Sequence, residues 1–437
     1  MHRTSLSRRD FLRRSAAAGS ALALPTFIPA SALGRGGAVA PSERILMGAI
    51  GIGGRGTHDL AWLMAEPDVQ FTAVCDVRRD RREEAQRKVN AKYGAGSCTA
   101  YRDLHELLAR PDLDAVLIAT GDRWHALAST FALRAGKDVY CEKPSCLTLA
   151  EGRMVMEVAQ RHGRIFQTGA QRLSEANHVF AIEMARTGRL GAIHTAYADI
   201  RYRGGARHDW LPAQPEPPRE ELDWDAWLGP CPWRPYNKGY LTGGWYDHHD
   251  FATDVAMWGA HTVAQALAGL DLTGLTTISF TYDRPDVSLV TRLSTGVKLV
   301  LYRVPGDVWK PCEFWTGSCG ERFDGSEGWA AAADGYSKPD VSAPALLNDF
   351  KKVLAEYTAR TQRPMNHVRD FLDCIRSRRL AVAHPGVMFT SMAICLAADI
   401  CDRVKRDVTF DLRTATFVGD AEADRLAQRA QRVPWCA

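Results

Sequence analysis

The sequence is short of several features that would narrow its role quickly. It has no surplus charge beyond residue 32. Five arginines and one aspartate in the first 32 residues account for the whole formal charge of +4, and the rest carries fifty basic and fifty acidic side chains. A balanced body offers no electrostatic footprint for nucleic acid or for an anionic membrane. It lacks a long apolar run: residues 16–32 are rich in Ala and interrupted by Gly19, Pro25 and Pro29, too short and too weakly apolar for a good membrane span. It lacks a disulfide framework, because its eleven cysteines are odd in number and irregular in spacing. Cys75, Cys141 and Cys395 lie in apolar runs and are expected in the core. Cys312 and Cys319 are spaced for one bridge across a turn, and the sequence leaves open whether they pair. There is no internal repeat and no low-complexity tail. What remains is an ordinary globular composition, 46% hydrophobic over 437 residues, enough for about two or three domains.

The first 32 residues read as a leader. Ser7-Arg8-Arg9-Asp10-Phe11-Leu12 fits the twin-arginine pattern, an apolar stretch follows, and Ala30-Ser31-Ala32 supplies small residues for cleavage. The expectation is export by the twin-arginine route to the periplasm, with no membrane span in the mature form.

From residue 44 onward, short apolar runs alternate with helical stretches. Residues 44–50, 69–76, 114–120, 138–142 and 164–170 read as strands, and residues 124–136 show helical spacing closed by Gly136. This alternation predicts an α/β fold with a parallel, doubly wound sheet over 42–170. The first strand runs into Gly51-Ile52-Gly53-Gly54-Arg55-Gly56, a G-x-G-x-x-G sequence opening a helix. The first Gly permits the tight turn, the second lets backbone approach a pyrophosphate, and the third lets helix and strand pack closely. Asp76 ends the second strand, where a carboxylate accepts from ribose hydroxyls and repels a 2′-phosphate. The combination predicts a dinucleotide site selecting NAD over NADP. Arg78 and Arg79 keep NADP open, although the solvated face of the charged helix they begin is the stronger reading.

Two further strand ends carry polar clusters: Thr120-Gly121-Asp122-Arg123-Trp124-His125 and Glu142-Lys143-Pro144. Ligands of such sheets sit outside the carboxyl ends of the strands. Thr120, Trp124, His125 and Glu142 are therefore read as cofactor-side residues, with His125 structural or cofactor-facing. Lys143, held by Pro144, is placed to donate to a substrate hydroxyl. The alternatives are a phosphate or ribose contact, or an ion pair with Glu142.

These motifs resemble the glucose-fructose oxidoreductase / inositol dehydrogenase / rhizopine-catabolism (Gfo/Idh/MocA) family. The likeness continues through residues 167–172, 222–230, 366–375 and 417–423, covering nearly the whole mature chain. It implies an N-terminal Rossmann domain and, over 171–437, a C-terminal α/β domain with an open, mainly antiparallel sheet. The substrate, a sugar or polyol, would lie between them, and the protein would be a homo-oligomer. Lys143 takes the place of the family lysine, Gln171 joins the cofactor set, and Arg172 the substrate set. His261 takes the position of the family's acid/base histidine.

Here the pattern breaks. Four residues before His261, where the family has Asp, stands Met257. Residues i and i+4 share a helix face, so a carboxylate there would orient and charge-stabilise the imidazole; a thioether cannot. Asp254 lies seven residues before His261, about 10 Å along a helix axis. Tyr246-Asp247-His248-His249-Asp250 offers other partners. Adjacent histidines point apart in regular structure, so no metal is expected, and the segment is read as pocket lining or as a surface loop. Tyr236, Tyr246, His248, His249 and Asp254 complete the substrate candidates. The aromatic run Trp224, Trp227, Trp233, Tyr236, Tyr240, Trp245 and Tyr246 suits either sugar stacking or structural anchoring.

A twin-arginine leader and a nicotinamide site are reconciled if the protein folds around its cofactor before export and never releases it. That predicts either a paired oxidoreduction on a sugar, polyol or glycoside hydroxyl, or an NAD-requiring glycoside hydrolysis by oxidation, elimination, hydration and reduction. A non-catalytic sugar-binding relative is the third reading.

Overall fold

The computed structural model describes residues 39–200, 209–282, 288–302 and 314–436. The leader and Cys312 fall outside the described residues, among which Cys319 is a free, buried cysteine. Cys75, Cys141 and Cys395 are buried, as their apolar surroundings predict.

The first layer alternates as the sequence does: β1 (Ile45–Ile50), α1 (Gly54–Ala65), β2 (Val69–Cys75), α2 (Arg79–Tyr93), β3 (Thr99–Tyr101), α3 (Leu104–Leu108), β4 (Ala115–Ile118), α4 (Asp122–Arg134), β5 (Asp138–Cys141), α5 (Leu149–His162) and β6 (Phe166–Thr168). The six strands are parallel in the order β3-β2-β1-β4-β5-β6. Along β1 the two-residue period divides the side chains, with Met47 and Ala49 entering one core and Ile50 the other. Register then sets the site. Ile50 pairs with Cys75 and Ile118, Ile118 with Cys141, and Cys141 with Thr168. The segments that follow these strands, beginning at Gly51, Asp76, Ala119, Glu142 and Gly169, therefore leave the sheet along one edge.

The second layer begins with α6 (Ala176–Arg186), β7 (Ile193–Asp199), α7 (Trp224–Leu228) and α8 (Ala256–Ala268). It continues through β8 (Thr277–Thr281), β9 (Ser288–Leu293), β10 (Lys298–Tyr302), β11 (Glu321–Gly325), β12 (Gly328–Ala332), β13 (Asp340–Val341) and α9 (Phe350–Thr361). It closes with α10 (His367–Ser377), α11 (Pro385–Val404), β14 (Val408–Asp411), β15 (Thr416–Phe417) and α12 (Ala421–Leu426). Nine strands form one sheet, β13-β12-β11-β7-β10-β9-β8-β14-β15, in which only β7 and β10 pair in parallel.

Helix α10 crosses the linear division at residue 170. Val368, Phe371, Leu372 and Ile375 of α10, followed by Ala381, share a core with Met47, Phe71, Leu117 and Tyr140 of the first sheet. Burying such side chains is worth about 1.5–3 kcal/mol each, so α10 is part of the first layer in energetic terms.

Candidate functional site

The glycine loop closes over β1 as its sequence requires. Gly51 has φ +78°, and a Cβ there would lie 2.5 Å from Thr120 Cα. A Cβ on Gly56 would lie 2.5 Å from the Gly51 carbonyl oxygen, so the third glycine allows α1 to approach the loop. Gly53 and Gly54 have open space where a Cβ would stand, facing a cavity of about 740 Å³.

Asp76 lies at one end of that cavity. Its Oδ2 accepts from the Ile52 amide at 2.8 Å and its Oδ1 from the Arg78 amide at 2.9 Å. Burial raises its pKa, and the two amides oppose the rise. The carboxylate is thereby fixed against the glycine loop with lone pairs left for ribose hydroxyls. Arg78 lines the cavity, whereas Arg79 pairs outside it with Glu83 at 2.7 Å. Asp76→Ala is expected to weaken NAD relative to NADP by about 1–3 kcal/mol, the scale of losing a charged hydrogen-bond partner. Comparative binding titrations check it, and an unchanged preference would place Asp76 away from the ribose.

The middle of the cavity is framed by Arg55, Thr120, Trp124, His125, Glu142 and Lys143. His125 ties two loops together: Nδ1 donates to the Pro144 carbonyl at 2.7 Å and Nε2 accepts from the Gly121 amide at 3.2 Å. Burial pushes this imidazole down to about 4, against the pull of the Pro144 bond, so it stays neutral and holds the Lys143 turn in place. Glu142 accepts at Oε1 from Gln171 Nε2 at 2.6 Å and at Oε2 from the Lys143 amide at 3.1 Å. Gln171 is thus behind Glu142, outside the wall of the large cavity; it also bonds the Tyr140 hydroxyl at 3.0 Å.

Under the loop sits a carboxyl that the sequence reading missed. Asp59 is 1% exposed on α1, with its Oδ1 2.8 Å from Arg55 Nη2 in an ion pair poorly angled for a hydrogen bond. Arg55 Nε is also 3.2 Å from Glu142 Oε1. Burial and then the neighbouring Glu142 push Asp59 up to about 8, with Arg55 opposing. Two buried carboxyls beside one guanidinium retain a proton near neutrality. The folded state therefore binds a proton that the unfolded chain releases near pH 3.9, and its stability falls as pH rises from there to about 8. In Asp59→Asn this loss should be largely absent. Melting temperatures measured from about pH 3 to 9 check it: the variant should match the wild type at the acid end, below about pH 3.9, and exceed it increasingly toward the alkaline end.

The far end of the cavity is built from both layers. Lys143 Nζ donates to the Met257 carbonyl at 3.0 Å and lies 6.0 Å from the Trp258 ring centroid. His261, one turn further along α8, presents Nε2 to Arg172 Nη1 at 3.2 Å. Arginine only donates, so Nε2 accepts and the ring proton sits on Nδ1, which is buried without a partner among the described residues. Burial, then Arg172 and Lys143, hold this imidazole well below the usual histidine range. Asp122, also absent from the sequence-derived set, is buried in the same cavity; burial pushes it up to about 7 against the charge of Lys143.

The remaining candidates divide. Arg172, Tyr246 and His261 line the cavity; Tyr236, His248, His249 and Asp254 do not. Tyr236 stacks edge-on to Trp224 with ring centroids 5.3 Å apart, and His248 is absorbed among Tyr240 and Phe251. His249 is half-buried. Asp254 is buried and precedes α8, its carbonyl accepting from the Met257 amide at 3.4 Å. The aromatic run divides too: Trp227, Tyr240, Trp245 and Tyr246 reach the cavity wall, while Trp224 is core and Trp233 is exposed. Glu175, His178 and Asp334 bring ligand atoms within 4.8 Å of one another, but His178 is engaged by Glu321 and Asp334 by Arg172.

Residues 45–170 match the family model described as an oxidoreductase family with an NAD-binding Rossmann fold, and 338–437 match its C-terminal alpha/beta domain; together they span just over half the chain. The chain belongs to the Gfo/Idh/MocA oxidoreductase family. Its cofactor class is NAD. It is 32% identical over 148 residues to the myo-inositol 2-dehydrogenase of Thermotoga maritima, covering 34% of this chain and 42% of that protein. It is 34% identical over 178 residues to a glycosyl hydrolase family 109 protein of Saccharopolyspora erythraea, covering 36% and 38%. The chain thus aligns with about two fifths of the length of these relatives. The WlbA dehydrogenase of Bordetella pertussis, solved with NADH and UDP-GlcNAcA, superposes with a TM-score of 0.59 at 14% identity, covering 84% of this chain and 98% of that one. At that identity the likeness is one of fold. Among the described residues of this Gfo/Idh/MocA protein, no helix is long and apolar enough to cross a membrane.

Proposed function

We propose that this protein is an exported, NAD-dependent oxidoreductase that moves hydride between nicotinamide and the carbinol carbon of a sugar, polyol or glycoside. One observation carries the reading. The glycine loop and Asp76 share a single cavity with a cluster of Lys143, Arg172 and His261, so a dinucleotide bound along the loop would end beside proton-handling groups. NAD would rest on the loop amides and Asp76, and when bound supplies the hydride acceptor. Lys143 would donate to the reacting oxygen. His261, neutral with its Nε2 lone pair held by Arg172, would line the site beside the reacting hydroxyl. Trp245 and Tyr246, with ring centroids 4.0 Å apart on the cavity wall, offer apolar faces to a sugar ring.

The leader-like first 32 residues support export with the cofactor already enclosed, and a homo-oligomeric state belongs to the same proposal. A second reading, glycoside cleavage with transient oxidation, is favoured by the likeness to glycosyl hydrolase family 109 proteins and by Met257 in place of the expected carboxylate.

Incubating the purified protein with a panel of glycosides and free sugars separates the readings. Accumulating keto-sugar supports the oxidoreductase. Free reducing sugar without net redox change supports the hydrolase. Binding without turnover overturns both. Denaturing the protein and identifying any released nucleotide tests cofactor retention directly.

A further inference from the structure

The reading of His261 as the group beside the reacting hydroxyl leaves its orienting partner unassigned, because position 257 holds a thioether. The partner comes from the turn that follows β12. Arg172 Nε and Nη2 grip Asp334 Oδ1 and Oδ2 at 3.0 and 2.8 Å, a bidentate pair that fixes the guanidinium plane. The nitrogen left over, Nη1, is the one that meets His261 Nε2. Asp334 is itself held: Ser318 Oγ donates to Oδ2 at 2.9 Å, and the Asp334 amide donates to the Ser318 carbonyl at 2.8 Å.

Behind Asp334 the charges continue to alternate. His178 Nε2 lies 4.0 Å from Asp334 Oδ1, and its Nδ1 lies 2.8 Å from Glu321 Oε2. Burial alone would lower His178, but the neighbouring Glu321 outweighs it and raises the imidazole above the usual histidine range. Gln265 Nε2 donates to Glu321 Oε2 at 2.7 Å, and Gln265 stands one turn beyond His261 on α8. Glu321, His178, Asp334 and Arg172 thus form a chain of alternating acidic and basic side chains that starts against α8 and returns to it.

We propose that Asp334, acting through Arg172, is the positioning residue for His261, taking over the orienting task that the family pattern gives to a carboxylate one turn earlier. The electrostatic sense is reversed. A carboxylate on the ring would favour imidazolium, whereas a guanidinium donating to Nε2 fixes the neutral ring with its proton on Nδ1. His261 is faced by Arg172 from the turn after β6, Lys143 from the end of β5, Arg55 from α1 and His367 from α10, and each of these disfavours its protonation.

This inference rests on the proposed role of His261 and is tested by a measurement that needs no turnover. In cofactor-loaded protein carrying ¹⁵N-histidine, the His261 resonances are identified by their loss in His261→Gln. The wild type should show one tautomer, unprotonated at Nε2. Arg172→Gln should raise the His261 pKa by roughly one unit or more. Asp334→Asn should replace the single tautomer with an averaged ring. With an active substrate, Asp334→Asn should lower kcat about 10- to 100-fold while KM stays within about threefold. Asp334→Glu should recover part of the loss, and Asp334→Asn should cost nothing further in the Arg172→Gln background. If Asp334→Asn does not fold, Ser318→Ala should shift the same resonances less far. Unmoved His261 resonances, or equal kcat losses in both backgrounds, would overturn the proposal. Absence of wild-type turnover on every carbohydrate tested would overturn the functional reading instead, with the resonances still deciding this one.

Discussion

Lys143→Ala is expected to abolish turnover while leaving the cofactor bound. Loss of a positioned proton donor costs about 10²–10⁴ in rate. Lys143 is held by the Met257 carbonyl at 3.0 Å, and its turn is fixed by the His125 bond to Pro144 rather than by the ammonium itself. The glycine loop and Asp76 do not depend on Lys143, so NAD affinity should change little. The check is turnover beside a binding titration on the same preparation. Normal turnover would remove Lys143 from the chemistry; lost cofactor would make it a phosphate or ribose contact instead.

Gly51→Ala should have the second large effect, on folding and cofactor binding together. The backbone at φ +78° is disfavoured for any L side chain, and the added Cβ would stand 2.5 and 2.6 Å from Thr120 Cα and N. These are backbone atoms at the end of β4 and cannot swing aside. Conformational strain and overpacking together are worth roughly 3–5 kcal/mol. Denaturant unfolding should show a midpoint shift of that scale, and the fraction that folds should bind NAD poorly because the loop and Thr120 have parted. A melting curve equal to the wild type would mean the turn has another conformation.

The local pattern carried the first layer well. Apolar runs between glycine turns located its strands, and the loop after β1 followed from three glycines whose tasks are backbone tasks, visible in one dimension. The same holds for Asp76, which is placed by its position at a strand end. Asp334 and Asp59 were invisible for the opposite reason. Asp334 reaches Arg172 across 162 positions, and Asp59 becomes unusual only once Glu142 and Arg55 close around it. Asp334 has no neighbour in sequence that marks it, and Arg55, four positions before Asp59, reads in sequence as an ordinary helix ion pair. His248 shows the converse: a conspicuous His-His pair drew attention, but the aromatic cluster had already claimed one member. Met257 was singled out for what its side chain lacks, whereas its carbonyl is what holds Lys143.

The placement of α10 has a consequence for biosynthesis. The underside of the nucleotide-binding sheet is sealed by Val368, Phe371, Leu372 and Ile375, with Ala381 following. A nascent chain cannot complete that half until residues to about 381 have emerged from the ribosome, more than two hundred positions after its last strand was made. Nicotinamide capture is therefore expected late in synthesis, when most of the chain has already been made.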